Sequence, residues 1–396
     1  MTKHTTSDND EGFRLGRLLT DERSRGIVIQ VAVLLAVALF IAFITFNTIT
    51  NLKSAGLATG FGFLDDPAFF DINQPLIEYN SQSSFARALL VGFLNTVMVS
   101  VLGIIAATII GVVAGVLRLS SNWLISRLVT SYVEFVRNVP VLLQIIFWWA
   151  LLTGLPKVRD SLSLGDTAFL NNRGVRVPAP LTEPGFGWVL AALAAGIVIA
   201  ILITRWARKR QDLTGQIFPT GWTTIGLIIG LPLIVYFALG QPLGWEIPRR
   251  TRFNFQGGIN ITPELIALWL ALATYTGAFI AEIVRAGILS VSRGQSEAAF
   301  ALGLRPNLTM QKIILPQALR VIIPPLTSQY LNLTKNSSLA IVIGYQDLVS
   351  IGGSILNQSG RSLEIVAIWM AVYLSLSLAT SAYMNWYNKR ISLVER

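Results

Sequence analysis

Long apolar runs without charge alternate with short charged segments along almost the whole chain. Residues 27–46 form the first run, 88–117 the second and 138–155 the third, which is expected to begin earlier, near Leu128. Residues 186–204, 222–240 and 265–281 follow, then 321–346, interrupted by Lys335, and finally 365–388. A helix needs roughly 20 apolar residues to cross a bilayer core. Irregular backbone cannot face lipid, so each run is read as helix. The alternating segments of a membrane β-barrel are absent. The pattern therefore predicts an all-α integral membrane protein with about eight transmembrane helices.

Composition supports lipid as the main solvent. Of 396 residues, 53% are hydrophobic and 13% charged, against about a quarter charged in soluble domains; the mean hydropathy is +0.59. A polar tail, 1–26, precedes the first run. That run is too long for a signal peptide and no small-residue cleavage site follows it, so an uncleaved helix is expected. There is no cysteine, and the only histidine is His4 in the tail. Disulfides, thiolate catalysis and cysteine metal sites are thereby excluded, and zinc chemistry and Ser–His–Asp catalysis have almost nothing to work with.

The net charge of +10 does not point to nucleic acid, because Lys and Arg cluster in the short segments that set membrane orientation. With both termini in the cytoplasm, the inside segments hold 19 Lys and Arg and the outside segments nine. One stretch runs against this bias: Arg249, Arg250 and Arg252 fall outside.

The segment between the sixth and seventh runs is long and rich in helix formers. Ser296–Leu304 reads SEAAFALGL. Gly303 stands where a left-handed residue ends a helix, and Pro306 prevents continuation. A short helix, a tight turn and a second helical piece ending near Leu315–Pro316 are expected. Lys335 is the charge placed deepest in an apolar run; Gln329, Asn332, Asn336 and Ser338 lie near it at helical spacing. These residues are read either as a polar stripe along a pathway or as hydrogen bonds between helices. Glu282 and Arg285, three apart, could pair at a helix end. Gly111 and Gly115 form a GxxxG pattern that permits close helix packing. No phosphate-binding loop of the G-x-x-x-x-G-K-[ST] type occurs. An ion-coupled transporter would need more intramembrane ionisable groups, and a membrane enzyme a carboxylate cluster or usable histidine.

Glu297-Ala298-Ala299, Gly303 and Ile313-Ile314-Leu315-Pro316 stand at the spacing of the EAA motif, EAA-x3-G-x9-I-x-L-P. In that motif, and in Ala281–Arg285, Gly294-Gln295, Gln317–Arg320, Pro324-Pro325 and Lys335–Leu339, the chain resembles permease subunits of type I ABC importers, in their polar amino acid branch. Tyr132, Glu134, Arg137, Pro140 and Gln144 are similar to a second segment of that branch. The resemblance implies a permease core in two parts, 85–155 and 263–390, with coupling segment 292–316. The first helix, 27–46, and an insertion, 157–261, with two more helices would enlarge a five-helix core, as in the Q-type subunit of general L-amino acid importers. It also implies that Glu297, Ala298, Ala299, Gly303, Ile313, Leu315 and Pro316 form the contact with an ATPase. The implied partners are an ATPase pair carrying ATP and Mg, a second permease subunit, a periplasmic amino-acid-binding protein and membrane lipid. L-amino acids would be the substrate and the inner membrane the location, with no cofactor on this chain.

Overall fold

A computed structural model describes residues 22–54, 60–165, 167–251 and 254–391. Most of the polar tail, with His4, lies outside the described residues, as does Arg252. Among the described residues six helices are long and apolar enough to cross a membrane, and two bent pairs bring the number to eight.

The first helix, α1 (Glu22–Ser54), exposes its apolar side chains all round, with Leu39 71% and Phe46 74% exposed. The central pair is α2 (Phe85–Leu117) and α7 (Pro263–Leu289). Ser84 caps α2 by accepting the Arg87 N–H, and Thr262 caps α7 by accepting the Leu265 N–H, with Pro263 in the first turn where its missing N–H costs nothing. The GxxxG pattern joins these two helices. A Cβ on Gly111 would stand 2.4 Å from Ile280 Cβ, and one on Gly115 2.8 Å from the Ala281 carbonyl oxygen. Hydrogen at these positions lets the backbones approach, and the main core, with Val99, Ala107, Leu268, Leu272 and Ile280, forms along this seam.

The third run is not one helix. Helix α3 (Trp123–Asn138) is capped by Asn122 and ends before Pro140; α4 (Val141–Thr153) leaves it at 106°. Pro140 excludes the helical conformation from Val139, which has ψ 126°. The Gln144 side chain holds the elbow by donating to the carbonyls of Val136 and Val139, both at 2.9 Å.

Residues 157–261, the expected insertion, fold as a helical hairpin on a base of short strands. Strands β1 (Leu162–Leu164), β2 (Ala168–Asn171), β3 (Gly174–Val177) and β8 (Ile259–Ile261) form an antiparallel sheet in that order, with Val175 opposite Ile261. Strand β4 (Ala179–Thr182) pairs with β5 (Leu243–Glu246) and closes the hairpin of α5 (Phe186–Thr214) and α6 (Thr220–Ala238). Strands β6 (Arg249–Arg250) and β7 (Phe255–Gln256) complete the base. Gly196 meets the Leu227 carbonyl, so the hairpin packs tightly on itself.

After α7 come α8 (Arg293–Ala301), a helical turn Pro306–Thr309 and a π turn Met310–Ile314 that runs straight into α9 (Leu315–Asn336). The expected end near Leu315–Pro316 is therefore corrected. Proline lacks an N–H and its ring strikes the carbonyl four residues back; the wider π turn, in which Leu315 N–H bonds to Met310, moves that carbonyl aside. The same device precedes Pro232 inside α6. The expected run 321–346 is likewise shifted. Helix α9 ends at Asn336, tightens to 3₁₀ over Ser337–Ile343, breaks at Gly344 (φ 79°) and restarts at 52° as α10 (Leu348–Ser359). Buried Asp347 caps α10 through the Ser350 N–H. Helix α11 (Ser362–Ile391) closes the bundle.

Candidate functional site

The segment 292–316, which carries the EAA spacing, projects from the end of α7. In α8, Ala299 is 1% exposed and anchors the helix, whereas Glu297, Ala298 and Phe300 are exposed. Leu302 is 81% exposed just beyond its end. The helix ends in a Schellman turn: Gly303, at φ 76°, donates its N–H to Phe300 O at 2.9 Å, and Leu304 donates to Ala299 O at 3.1 Å. Of the two alanines, only Ala298 lies on the outer surface. Ile313 is half-buried in the π turn; Leu315 and Pro316 open α9. Gln317 ties α9 to α8 by donating to Gln295 Oε1 at 3.4 Å, and it also donates to Ile313 O at 3.0 Å. No atom would lie within 4 Å of a Cβ on Gly303, so only its backbone conformation demands glycine there.

Behind this projection, Glu282 gathers three arginines from three helices. One carboxylate oxygen accepts from Arg118 at the end of α2 and lies 3.6 Å from the Arg137 guanidinium on α3; the other accepts from Arg285 at 3.1 Å. Sequence spacing discloses only the Glu282–Arg285 pair. Arg118 and Arg137 are more than 140 residues away, and no local pattern announces such a contact. Arg137 also stacks over Phe279 at 5.2 Å, and Tyr132 donates to Thr274 O at 2.9 Å. The second similar segment thus seats α3 on α7.

The polar residues of α9 share one side. At 100° per residue Gln329, Asn332, Lys335 and Asn336, with Ser328, fall within a sector of about 120°. Asn332, Lys335 and Ser328 are exposed, Gln329 and Asn336 half-buried. Ser338 does not continue the helical stripe. It lies in the 3₁₀ turn, and its hydroxyl donates to Lys335 O at 2.7 Å. Lys335 stands in the last turn of α9, where the helix dipole favours a cation. Its neighbour Leu333 packs on Gly103, about 20 Å from the Leu117 end of α2 at 1.5 Å per residue. Phe85, at the other end of α2, is about 27 Å from Gly103 on the same count, so Lys335 lies near the middle of the bundle. Among the described residues it makes no ion pair. Nor do the described residues hold any cluster of His, Cys, Asp and Glu suited to a metal.

Residues 213–393 match the family of binding-protein-dependent transport system inner membrane components. The general L-amino acid transport system permease protein AapQ of Rhizobium johnstonii is 52% identical over 393 residues, which cover 99% of this chain and 98% of AapQ. The chain belongs to the amino-acid permeases of ABC transporters. The permease is also 48% identical to the putative amino-acid ABC transporter permease protein YhdX of Escherichia coli, covering 94% of this chain and 95% of that protein. With the glutamate/glutamine/aspartate/asparagine transport system permease protein BztB of Rhodobacter capsulatus it shares 45%, over 97% and 98%. Among solved structures, an amino acid ABC transporter with histidines aligns at 20% identity over 77% of this permease and 95% of that chain, with a TM-score of 0.45.

Proposed function

We propose that this permease carries L-amino acids from periplasm to cytoplasm as one of two pathway subunits, driven by a separate ATPase pair. The observation that carries this reading is the coupling projection. A nine-residue helix is marginal in isolation, yet α8 is fixed by buried Ala299, a Schellman turn and Gln317. What it leaves exposed is a small docking face of Glu297, Ala298, Phe300 and Leu302. A rigid projection with apolar side chains in water is built to seat in a partner's groove.

The ATPase subunits would hold ATP and Mg, since this sequence has no phosphate-binding loop. Closure of that pair would draw the coupling helices together and turn the pathway outward; hydrolysis would return it. A periplasmic amino-acid-binding protein would deliver substrate on the far side. The polar stripe of α9 would line the path, with Lys335 offering an ammonium to the carboxylate common to all amino acids. Both termini would be cytoplasmic in the bacterial inner membrane. Purification in mild detergent tests the reading. ATPase polypeptides should accompany the permease at two per pair of permease subunits, with ATP hydrolysis stimulated by a binding protein loaded with amino acid. A permease that purifies without an ATPase, and transports without ATP, would refute it.

A further inference from the structure

A cavity of about 810 Å³ opens in the base of the insertion, lined by Lys157, Val158, Arg159, Asp160, Asn172, Arg173, Arg250 and Thr251. Four of these side chains are cationic and one is a carboxylate; among the described residues none of the four cations makes an ion pair. Arg250 donates to the Arg159 carbonyl at 3.2 Å. Arg250 belongs to the basic stretch that runs against the charge bias of the chain. Four cations gathered with a single carboxylate, Asp160, leave a positive excess, and an anion seated among them relieves their mutual repulsion.

The position of the cavity narrows the class of anion. Lys157 lies four residues beyond Thr153, the last residue of α4, a span of at most about 14 Å of extended chain. Asn172 N–H bonds to Pro156 O at 2.9 Å, which ties the β2–β3 turn to the same helix end. Strand β8 leads directly into Thr262, the cap of α7. The cavity is therefore tied to the end of α4 and, through β3 and β8, to the start of α7, where a chain leaving a bilayer would meet its headgroups. Its lining narrows the class further. Val158 is the only apolar member, whereas pockets for small soluble ligands are mostly apolar. A lipid needs no such wall, because its tails stay in the bilayer. Three guanidiniums supply the paired N–H donors that match phosphate oxygens, and basic clusters beside membrane helices attract anionic headgroups. We infer that this cavity binds the phosphodiester headgroup of an anionic phospholipid, holding the insertion on the membrane surface.

The test uses the full-length permease with its co-purifying subunits in neutral detergent. Thermal unfolding is followed while short-chain phosphatidylglycerol, phosphatidylcholine or inorganic phosphate is added. The variant is Lys157→Gln/Arg173→Gln, since neither side chain makes a hydrogen bond among the described residues and the fold loses none. Phosphatidylglycerol should raise the melting temperature of the wild type well above the effect of phosphatidylcholine. In the variant its midpoint concentration should rise about tenfold, the loss expected for charge-assisted contacts. Lys157→Arg/Arg173→Lys, which keeps both charges, should stay near wild type. Equal effects of the two lipids, or an unchanged midpoint in the variant, would overturn the inference. Stabilisation by inorganic phosphate as strong as by phosphatidylglycerol would assign the cavity to a free anion instead. An unchanged lipid response with weakened stimulation by the binding protein would assign it to an acidic protein partner.

Discussion

Substitution of Gly303 isolates the backbone of the coupling turn from its surroundings. The residue sits at φ 76°, and no atom lies within 4 Å of where a Cβ would stand, so a new side chain meets no neighbour. The cost is conformational alone, about 1–2 kcal/mol for an ordinary L residue in the left-handed region, and more for a β-branched one. A chain that escapes this cost by leaving the region loses two hydrogen bonds, Gly303 N–H to Phe300 O and Leu304 N–H to Ala299 O. Each contributes about 0.5–1.5 kcal/mol net. Either route removes roughly 1–3 kcal/mol from the ordered turn, which is about a five- to hundredfold change in its population relative to displaced forms. Gly303→Val should therefore insert and assemble normally while losing most binding-protein-stimulated ATP hydrolysis. Gly303→Ala should lose less. Gly303→Asn, whose side chain tolerates the left-handed conformation, should stay close to wild type. The assay is ATP hydrolysis by the assembled complex, with and without loaded binding protein. Full stimulation in Gly303→Val, or damage by Asn equal to that by Val, would refute the reasoning.

Gly111→Leu should separate α2 from α7, because its Cβ would stand 2.4 Å from Ile280 Cβ; overpacking costs about 1–3 kcal/mol or more, and a melting temperature in detergent equal to wild type would refute it. Lys335→Gln keeps donors but removes the charge. If Lys335 meets the substrate carboxylate, the variant should keep wild-type thermal stability and lose most uptake, and near-normal uptake would sink that role. Zero native cysteines make single-cysteine labelling clean. Cysteine at Ser121, Gly215 or Gln311 should react only from the cytoplasm, and at Asp66, Asn172 or Gln358 only from the periplasm; labelling of 215 and 172 from one side would overturn the two-helix reading of the insertion.

The spans are legible in the sequence because a charge-free run of twenty residues has few alternatives in lipid. The α8 turn is legible because Gly303 and Pro306 are strong local punctuation. What escapes such reading has physical reasons. The elbow between α3 and α4 is marked by Pro140, but a proline alone does not give the angle, and the 106° bend appears only in the fold. A single helical period carries the stripe around Lys335 on to Ser338, whereas the 3₁₀ turn changes the period just there. The strands of the insertion are two to four residues long, too short for alternation to register. Arg118 and Arg137 reach Glu282 only through the fold. The polar-amide staples are similarly silent: Gln144 at the elbow, and Gln346, which accepts the Asn73 N–H at 2.6 Å and donates to Asp71 O at 3.1 Å beside the break.

These features divide the permease into parts that move together and places where it can bend. Helices α2 and α7 are joined by glycine contacts at Gly111, Gly115 and Gly277, and α7 meets α9 where Gly287 admits Ile322. Glu282 binds α2, α3 and α7 at the same end, and Gln317 fastens α8 to α9. A displacement of α8 cannot be absorbed locally in such close packing, so it would carry α7, α9 and α2 as one body. The continuous backbone ladder is interrupted at Asn138–Pro140 and at Gly344–Asp347. Missing backbone bonds make these the places where a bend can start; at the second, Asn95 of α2 donates to the Gln346 carbonyl and Thr96 accepts the Leu348 N–H, so that break stays registered on α2. Asn332 and Lys335 lie on α9 within about three turns of the second break. A tilt of that body about the two breaks would therefore alter what the polar side of α9 faces, while the Glu282 junction inside the body stays closed. Motion applied at α8, if it docks as proposed, would in this way reach the polar stripe without rearranging the core.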